Sequence, residues 1–223
     1  MKIEITIPNN LNEITLGQYQ KFLSIAENNK EGEFLNAKMI EIFCGISLAD
    51  TYNLKMSSVT AILDILNDML EQKPQHIVQF KMDGVKYGFV PDLDELTLGE
   101  YIDLDNNISK WEQIHVAMNV LYRPIKDSKG LNYNIKDYET SDSDKMKNMP
   151  LGAAMGSLFF FYNLGLELSR DTILSSKNQL QTEAIQEHLT SQQNGDGTNQ
   201  FGLSLEEALK NLSRLKTQTF INA

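Results

Sequence analysis

Cysteine is all but missing from this chain. Cys44 stands alone among 223 residues, so no disulfide can form within them. Its neighbours Ile42, Phe43 and Ile46 suggest a buried small hydrophobe in place of a reactive thiol. Histidine is nearly as scarce. His76, His115 and His188 lie far apart, and none is spaced with another His or Cys as a metal site requires. No phosphate-cradling glycine loop, dinucleotide turn or nucleophile elbow occurs. Asn194–Asn199 only faintly resembles a calcium loop, without its acidic register or closing glutamate. These gaps imply no catalytic residues, no metal and no cofactor, hence a protein that is not an enzyme. An unrecognised enzyme is kept as an alternative.

Positive charge is also in deficit. Twenty Lys and Arg face thirty Asp and Glu, a formal net charge of −10. The basic residues do not cluster, and Lys145 and Lys147 sit beside Asp142 and Asp144. Such a field repels a phosphate backbone, which argues against nucleic acid as a partner. The opening Met1–Ile7 alternates like a strand and has no apolar h-region, so synthesis and residence in the cytoplasm are expected. One long apolar run exists, Asn148–Leu166, nineteen residues without a charge. That touches the length of a membrane span. Pro150, Asn163 and the small residues Gly152, Ala153, Ala154 and Gly156 argue instead for a helix buried on all sides. A small membrane-associated protein stays as the other alternative.

What is present is a repeated helix start. Leu11-Asn12-Glu13-Ile14-Thr15-Leu16-Gly17-Gln18-Tyr19 returns as Leu93-Asp94-Glu95-Leu96-Thr97-Leu98-Gly99-Glu100-Tyr101. Thr15 and Thr97 suit the N-cap, and Gln18 and Glu100 can close a capping box. Ile14 with Tyr19, and Leu96 with Tyr101, are spaced as hydrophobic staples. Both copies follow an apolar stretch that ends in proline, Ile7-Pro8 and Val90-Pro91.

The stretch before the second copy reads as a β-hairpin, Ile77–Val90, turning at Asp83-Gly84. The strand Lys2–Ile7 is expected to pair with it. Helices are expected after Thr15, over Phe34–Phe43 with Gly45 as the stop, and after a cap at Ser57 or Ser58 up to Pro74. Two more follow, from Leu98 to about Asn107 and from Trp111 to Tyr122, the latter broken by Arg123-Pro124. Asp127–Asp144 is polar and reads as a long surface loop, with Tyr133 and Tyr138 as anchors against the domain or against a partner.

The fold class that results is α+β, mainly α: a helical domain with a small antiparallel sheet and an internal strand–helix–helix pseudo-repeat. Residues 1–170 form that domain, from related units 1–73 and 76–125 and an apolar helix over 150–168. Residues 171–223 supply a polar helix, a linker and a C-terminal amphipathic helix with Leu205, Leu209 and Leu212 on its apolar face.

On the nonapeptides, on Phe80-Lys81-Met82-Asp83-Gly84-Val85-Lys86-Tyr87, on Leu121-Tyr122-Arg123-Pro124 and on Phe159-Phe160-Phe161, the chain resembles small morphogenesis proteins of tailed bacteriophages. Some of these resemble tail assembly chaperones or virion structural proteins. The likeness covers about residues 1–168. It implies work by protein–protein contact, with phage tail or capsid components or with further copies of the chain. It places the protein in the host cytoplasm during assembly, with the virion as a second destination, and carries over no catalytic residue.

Phe159, Phe160 and Phe161 point about 100° apart around one helix, so one covering layer cannot bury all three. Gly152 and Gly156 offer a flat strip on the same helix. These five residues, with Leu205, Leu209 and Leu212, are the expected interface.

Overall fold

The computed structural model describes residues 4–29, 32–129 and 132–164. Four helices come first: α1 (Leu16–Asn28), α2 (Glu33–Cys44), α3 (Leu48–Tyr52) and α4 (Met56–Glu71). A hairpin, β1 (Gln79–Met82) and β2 (Val85–Phe89), leads to α5 (Leu98–Asn107) and α6 (Ile114–Leu121). β3 (Tyr122–Lys129) and β4 (Asn132–Ile135) follow, then a 3-10 helix (Thr140–Asn148) and a final helix, α7, described over residues 151–164. The class is α+β and mainly α, with one antiparallel sheet in the order β1-β2-β3-β4.

Local chemistry explains most of the element boundaries. The hairpin turns on Asp83 and Gly84, both at positive φ, which the two-residue turn requires. α2 stops at Gly45, whose left-handed backbone turns its N–H to the carbonyl of Glu41. α4 starts two or three residues earlier than its serines suggest. Lys55 is the N-cap and supplies no side-chain bond, so Ser57 and Ser58 lie inside the helix.

The sheet departs from expectation in its third strand. Residues 4–9 form no strand; Ile5 and Ile7 pack against the core by their side chains alone. The edge of β2 is taken instead by Tyr122–Pro124, through the pairs Tyr87↔Pro124, Gly88↔Arg123 and Phe89↔Tyr122. A proline inside a sheet reads as a breaker, because it has no N–H to donate. Here its carbonyl accepts from the Lys136 N–H, so its missing donor falls on the β4 side. Regular pairing with β4 begins only at Ile125↔Ile135. The helix does break at Arg123-Pro124, as its sequence predicts, but into a strand.

The expected loop over 127–144 is likewise corrected to the end of β3, β4 and the 3-10 helix. Its tyrosines hold it to the domain. Tyr133 donates to the Phe89 carbonyl (2.6 Å) with its ring against Gly88, and Tyr138 donates to Asp103 (2.8 Å).

One core runs through both related units. It joins Leu16, Tyr19, Ile40 and Leu66 to Met118, Leu121, Tyr122, Met149 and Leu158. At its centre the Tyr122 hydroxyl donates to the Ile77 carbonyl (2.6 Å) and shares a bond with Ser157 Oγ (2.8 Å), tying the sheet to α7. Burial pushes this phenol up to about 12. Cys44 is half-buried against the same core, and desolvation raises its thiol to about 11, far from a reactive thiolate.

Both capping boxes are formed. Thr15 Oγ1 accepts from the Gln18 N–H (3.1 Å) and Thr97 Oγ1 from the Glu100 N–H (3.3 Å). The side chains of Gln18 and Glu100 return the bond to the cap N–H at 2.8 and 2.7 Å. Thr15→Ala and Thr97→Ala should each lower the unfolding free energy by about 1 kcal/mol, measured by chemical denaturation.

Candidate functional site

The two nonapeptides share a local form and meet different surroundings, and that contrast locates the site. Around the first copy the chain closes on itself. Thr15 forms an antiparallel bridge with Pro150. Leu16 N–H donates to the Met149 carbonyl (2.9 Å), Leu151 N–H to Ile14 (2.9 Å) and Gly152 N–H to Leu11 (3.0 Å). Pro150 stands opposite Thr15 at a position whose bonds are made by its neighbours, so its missing N–H costs nothing there. The Lys147 backbone lies so close to Gly17 that an added Cβ would meet its carbonyl oxygen at 3.0 Å.

The second copy has no such cover among the described residues. Leu98 is 75% exposed where its counterpart Leu16 is 0%, and Tyr101 is 43% exposed where Tyr19 is 3%. Ile102, on the next position of α5, is exposed as well. Three large apolar side chains thus share one helix face in water, the kind of patch that marks a contact surface.

The closing residue of each capping box is suited to what lies beyond it. Gln18 uses its amide to donate to the Ile42 carbonyl (2.8 Å). Glu100 is instead buried against Arg123, with 2.7 Å between Oε1 and Nη2. Arg123 also donates from Nε to the Val120 carbonyl (3.1 Å) and lies over the Tyr138 ring. This ion pair forms one wall of an open groove of about 570 Å³, which Val90, Pro91, Leu96, Thr97 and Ile135 line with apolar and capping groups. Asp92, Glu95 and Asp137 give it a negative rim. Tyr138 stays a neutral donor, because burial first and its bond to Asp103 second raise its hydroxyl.

The expected interface residues are divided by the fold. Gly152 and Gly156 face the chain's own backbone and side chains. A Cβ on Gly152 would meet Asn12 Oδ1 at 2.3 Å, and one on Gly156 the Gln75 carbonyl at 2.1 Å. Their smallness therefore serves internal packing, which corrects their assignment to a contact with another chain. Phe161 is buried, Phe160 is half-buried and stacks on His76, and Phe159 is 40% exposed. The three phenylalanines do point in different directions, and only Phe159 remains on the surface. Leu205, Leu209 and Leu212 lie outside the described residues.

The exposed face of α5 was missed from sequence. A signal for it exists: Ile102 stands where the first copy has Gln20, whose amide donates to the Trp111 carbonyl (2.6 Å).

Two histidines are lodged in the packing. His76 sits between Phe89 and Phe160 with a buried Nδ1, and burial lowers its pKa. His115 Nδ1 lies 3.2 Å from Gln20 Nε2, and its Nε2 lies 3.8 Å from an Asp144 carboxylate oxygen. Burial first and Lys147 second lower its pKa, against an upward pull from Asp144. A pKa depressed by folding contributes stability that is complete above the unfolded value of about 6.5 and is lost as pH falls from there through the folded value. Unfolding free energy should therefore decline below about pH 6.5, by at most about 1.4 kcal/mol per pH unit for each histidine. His76→Phe and His115→Gln should each flatten that profile.

Among the described residues no three His, Cys, Asp or Glu side chains gather as metal ligands, and no helix is long and apolar enough to cross a membrane. No protein-family model, curated protein or solved structure matches the chain.

Proposed function

We propose that this chain is a morphogenesis protein of a tailed bacteriophage, a tail assembly chaperone-like protein or a virion component. It acts by protein–protein contact in tail or head–tail assembly and catalyses no reaction. The phage assignment rests on the resemblance of residues 1–168. The contact mechanism rests on one observation, the face of α5 that leaves Leu98, Tyr101 and Ile102 in water while α1 buries Leu16 and Tyr19. Exposing that much apolar surface on a helix start is favoured only if something covers it for part of the protein's working life. The partners in this reading are tail or capsid components.

The test is compositional and genetic. The protein should be found in purified virions, or its deletion should leave particles with defective tails. Leu98→Asp, at a position that touches little of the core, should reproduce the assembly defect while thermal unfolding of the isolated chain stays unchanged. Normal particles from both the deletion and the point variant would overturn the proposal.

A further inference from the structure

We infer that the second nonapeptide, residues 93–101, docks an extended segment of another protein chain, one with apolar residues at the pairing position and lysine or arginine ahead of them. The inference rests on the contact reading above and names the partner's chemistry. Its ground is internal. The first nonapeptide already holds such a stretch, the short extended link Met149-Pro150 between the 3-10 helix and α7, with backbone bonds joining Met149, Leu151 and Gly152 to Leu16, Ile14 and Leu11. The second offers the Leu96 carbonyl and the Leu98 N–H at the matching places, next to an open groove, while the Leu93 carbonyl accepts from the Leu96 N–H (3.4 Å).

Glycine at the second helical position makes the argument specific. Gly17 is crowded, because the Lys147 backbone approaches it closely. Gly99 stands at the matching place, and an added Cβ there would meet nothing within 4 Å. A glycine inside a helix is destabilising relative to alanine, so the isolated fold gains nothing from it. A backbone laid against Gly99, as Lys147 is laid against Gly17, gives it a use.

Charge identifies the occupant further. Asp92, Glu95 and Asp137 rim the groove, and Arg123 is already paired with Glu100. A basic flank is attracted there. A second copy of this chain fits poorly. Its net charge is −10, and its own segment of this kind is engaged inside the fold.

The test uses the full chain and a synthetic peptide of residues 145–156 (Lys-Met-Lys-Asn-Met-Pro-Leu-Gly-Ala-Ala-Met-Gly) as the probe. Amide resonances of residues 93–101 should shift on titration with the peptide. Leu98→Asp should weaken binding about tenfold to a hundredfold. Gly99→Ala should also weaken it at least about tenfold, yet raise the melting temperature by about 2 °C. That opposition separates a docking role from a folding role. A peptide with both lysines replaced by glutamate should bind more weakly, and the difference should shrink with salt.

The inference fails if residues 93–101 do not respond up to about 1 mM peptide. It also fails if shifts are confined to residues 11–19, or if Gly99→Ala binds as tightly as the parent. Self-association of the chain that Gly99→Ala abolishes would replace the foreign segment with a second copy and overturn the assignment. Tail defects on deletion without peptide binding sink this inference alone. Peptide binding together with normal particles on deletion sinks the phage assignment and leaves the docking site standing.

Discussion

Replacing Arg123 with alanine should lower the unfolding free energy by about 3–5 kcal/mol, among the largest effects of any single substitution in the chain. The reason is what remains behind. Glu100 is buried, and its charge is balanced by the Arg123 guanidinium at 2.7 Å. Without Arg123 the carboxylate keeps its bonds to the Thr97 N–H and hydroxyl, but no countercharge faces it within the buried wall. The cost belongs to the orphaned charge more than to the lost attraction, and a double-mutant cycle can separate the two. Glu100→Gln should keep the capping box, since Gln18 closes the same box in the first copy. Arg123→Met combined with Glu100→Gln should therefore recover much of the loss seen with Arg123→Met alone. A single-variant cost below about 1 kcal/mol would mean that water reaches Glu100 when its partner is gone.

Gly156→Ala should cost about 3 kcal/mol, although alanine is the better helix former by about 1 kcal/mol. An alanine Cβ would sit 2.1 Å from the Gln75 carbonyl oxygen, 2.8 Å from its carbon and 3.2 Å from His76 Cα. These are backbone atoms and cannot swing aside as a side-chain end can. α7 would have to lift away from the segment that precedes the sheet, disturbing the stacking of His76 on Phe160 and its edge contact with Phe89. The four glycine-to-alanine variants should rank by what each Cβ meets. Gly156 meets backbone at 2.1 Å, Gly152 a side-chain oxygen at 2.3 Å, Gly17 a carbonyl at 3.0 Å and Gly99 nothing within 4 Å. Stability measured by denaturation should fall most at Gly156, less at Gly152, less again at Gly17, and rise at Gly99. A rise at Gly156 would show that α7 accommodates the methyl group by a rigid shift.

What the residues settle by themselves is local. Thr15 and Thr97 cap helices because a hydroxyl and a following Gln or Glu satisfy amides within one turn, wherever the turn lies. Asp83-Gly84 turns the hairpin and Gly45 ends α2 for equally short-range reasons, the φ each demands. The mainly helical class with one small antiparallel sheet follows from such signals and from apolar periodicity. Partnership across long sequence distances was decided in three dimensions. Lys2–Ile7 alternates like a strand, yet the edge of β2 went to Tyr122–Pro124, which reads in sequence as the end and break of a helix. Side-chain burial and the direction of one missing N–H chose between them. Gly152 and Gly156 have the spacing of a helix-contact strip, but the contacts are Leu11, Asn12 and Gln75 of the same chain. The two nonapeptides are the clearest case. Near-identical residues bury Leu16 and expose Leu98, because Met149–Gly152 folds back on the first copy and no such stretch among the described residues covers Leu98. Local sequence determines how a helix begins; only the remainder of the fold determines which of its faces is left for another chain.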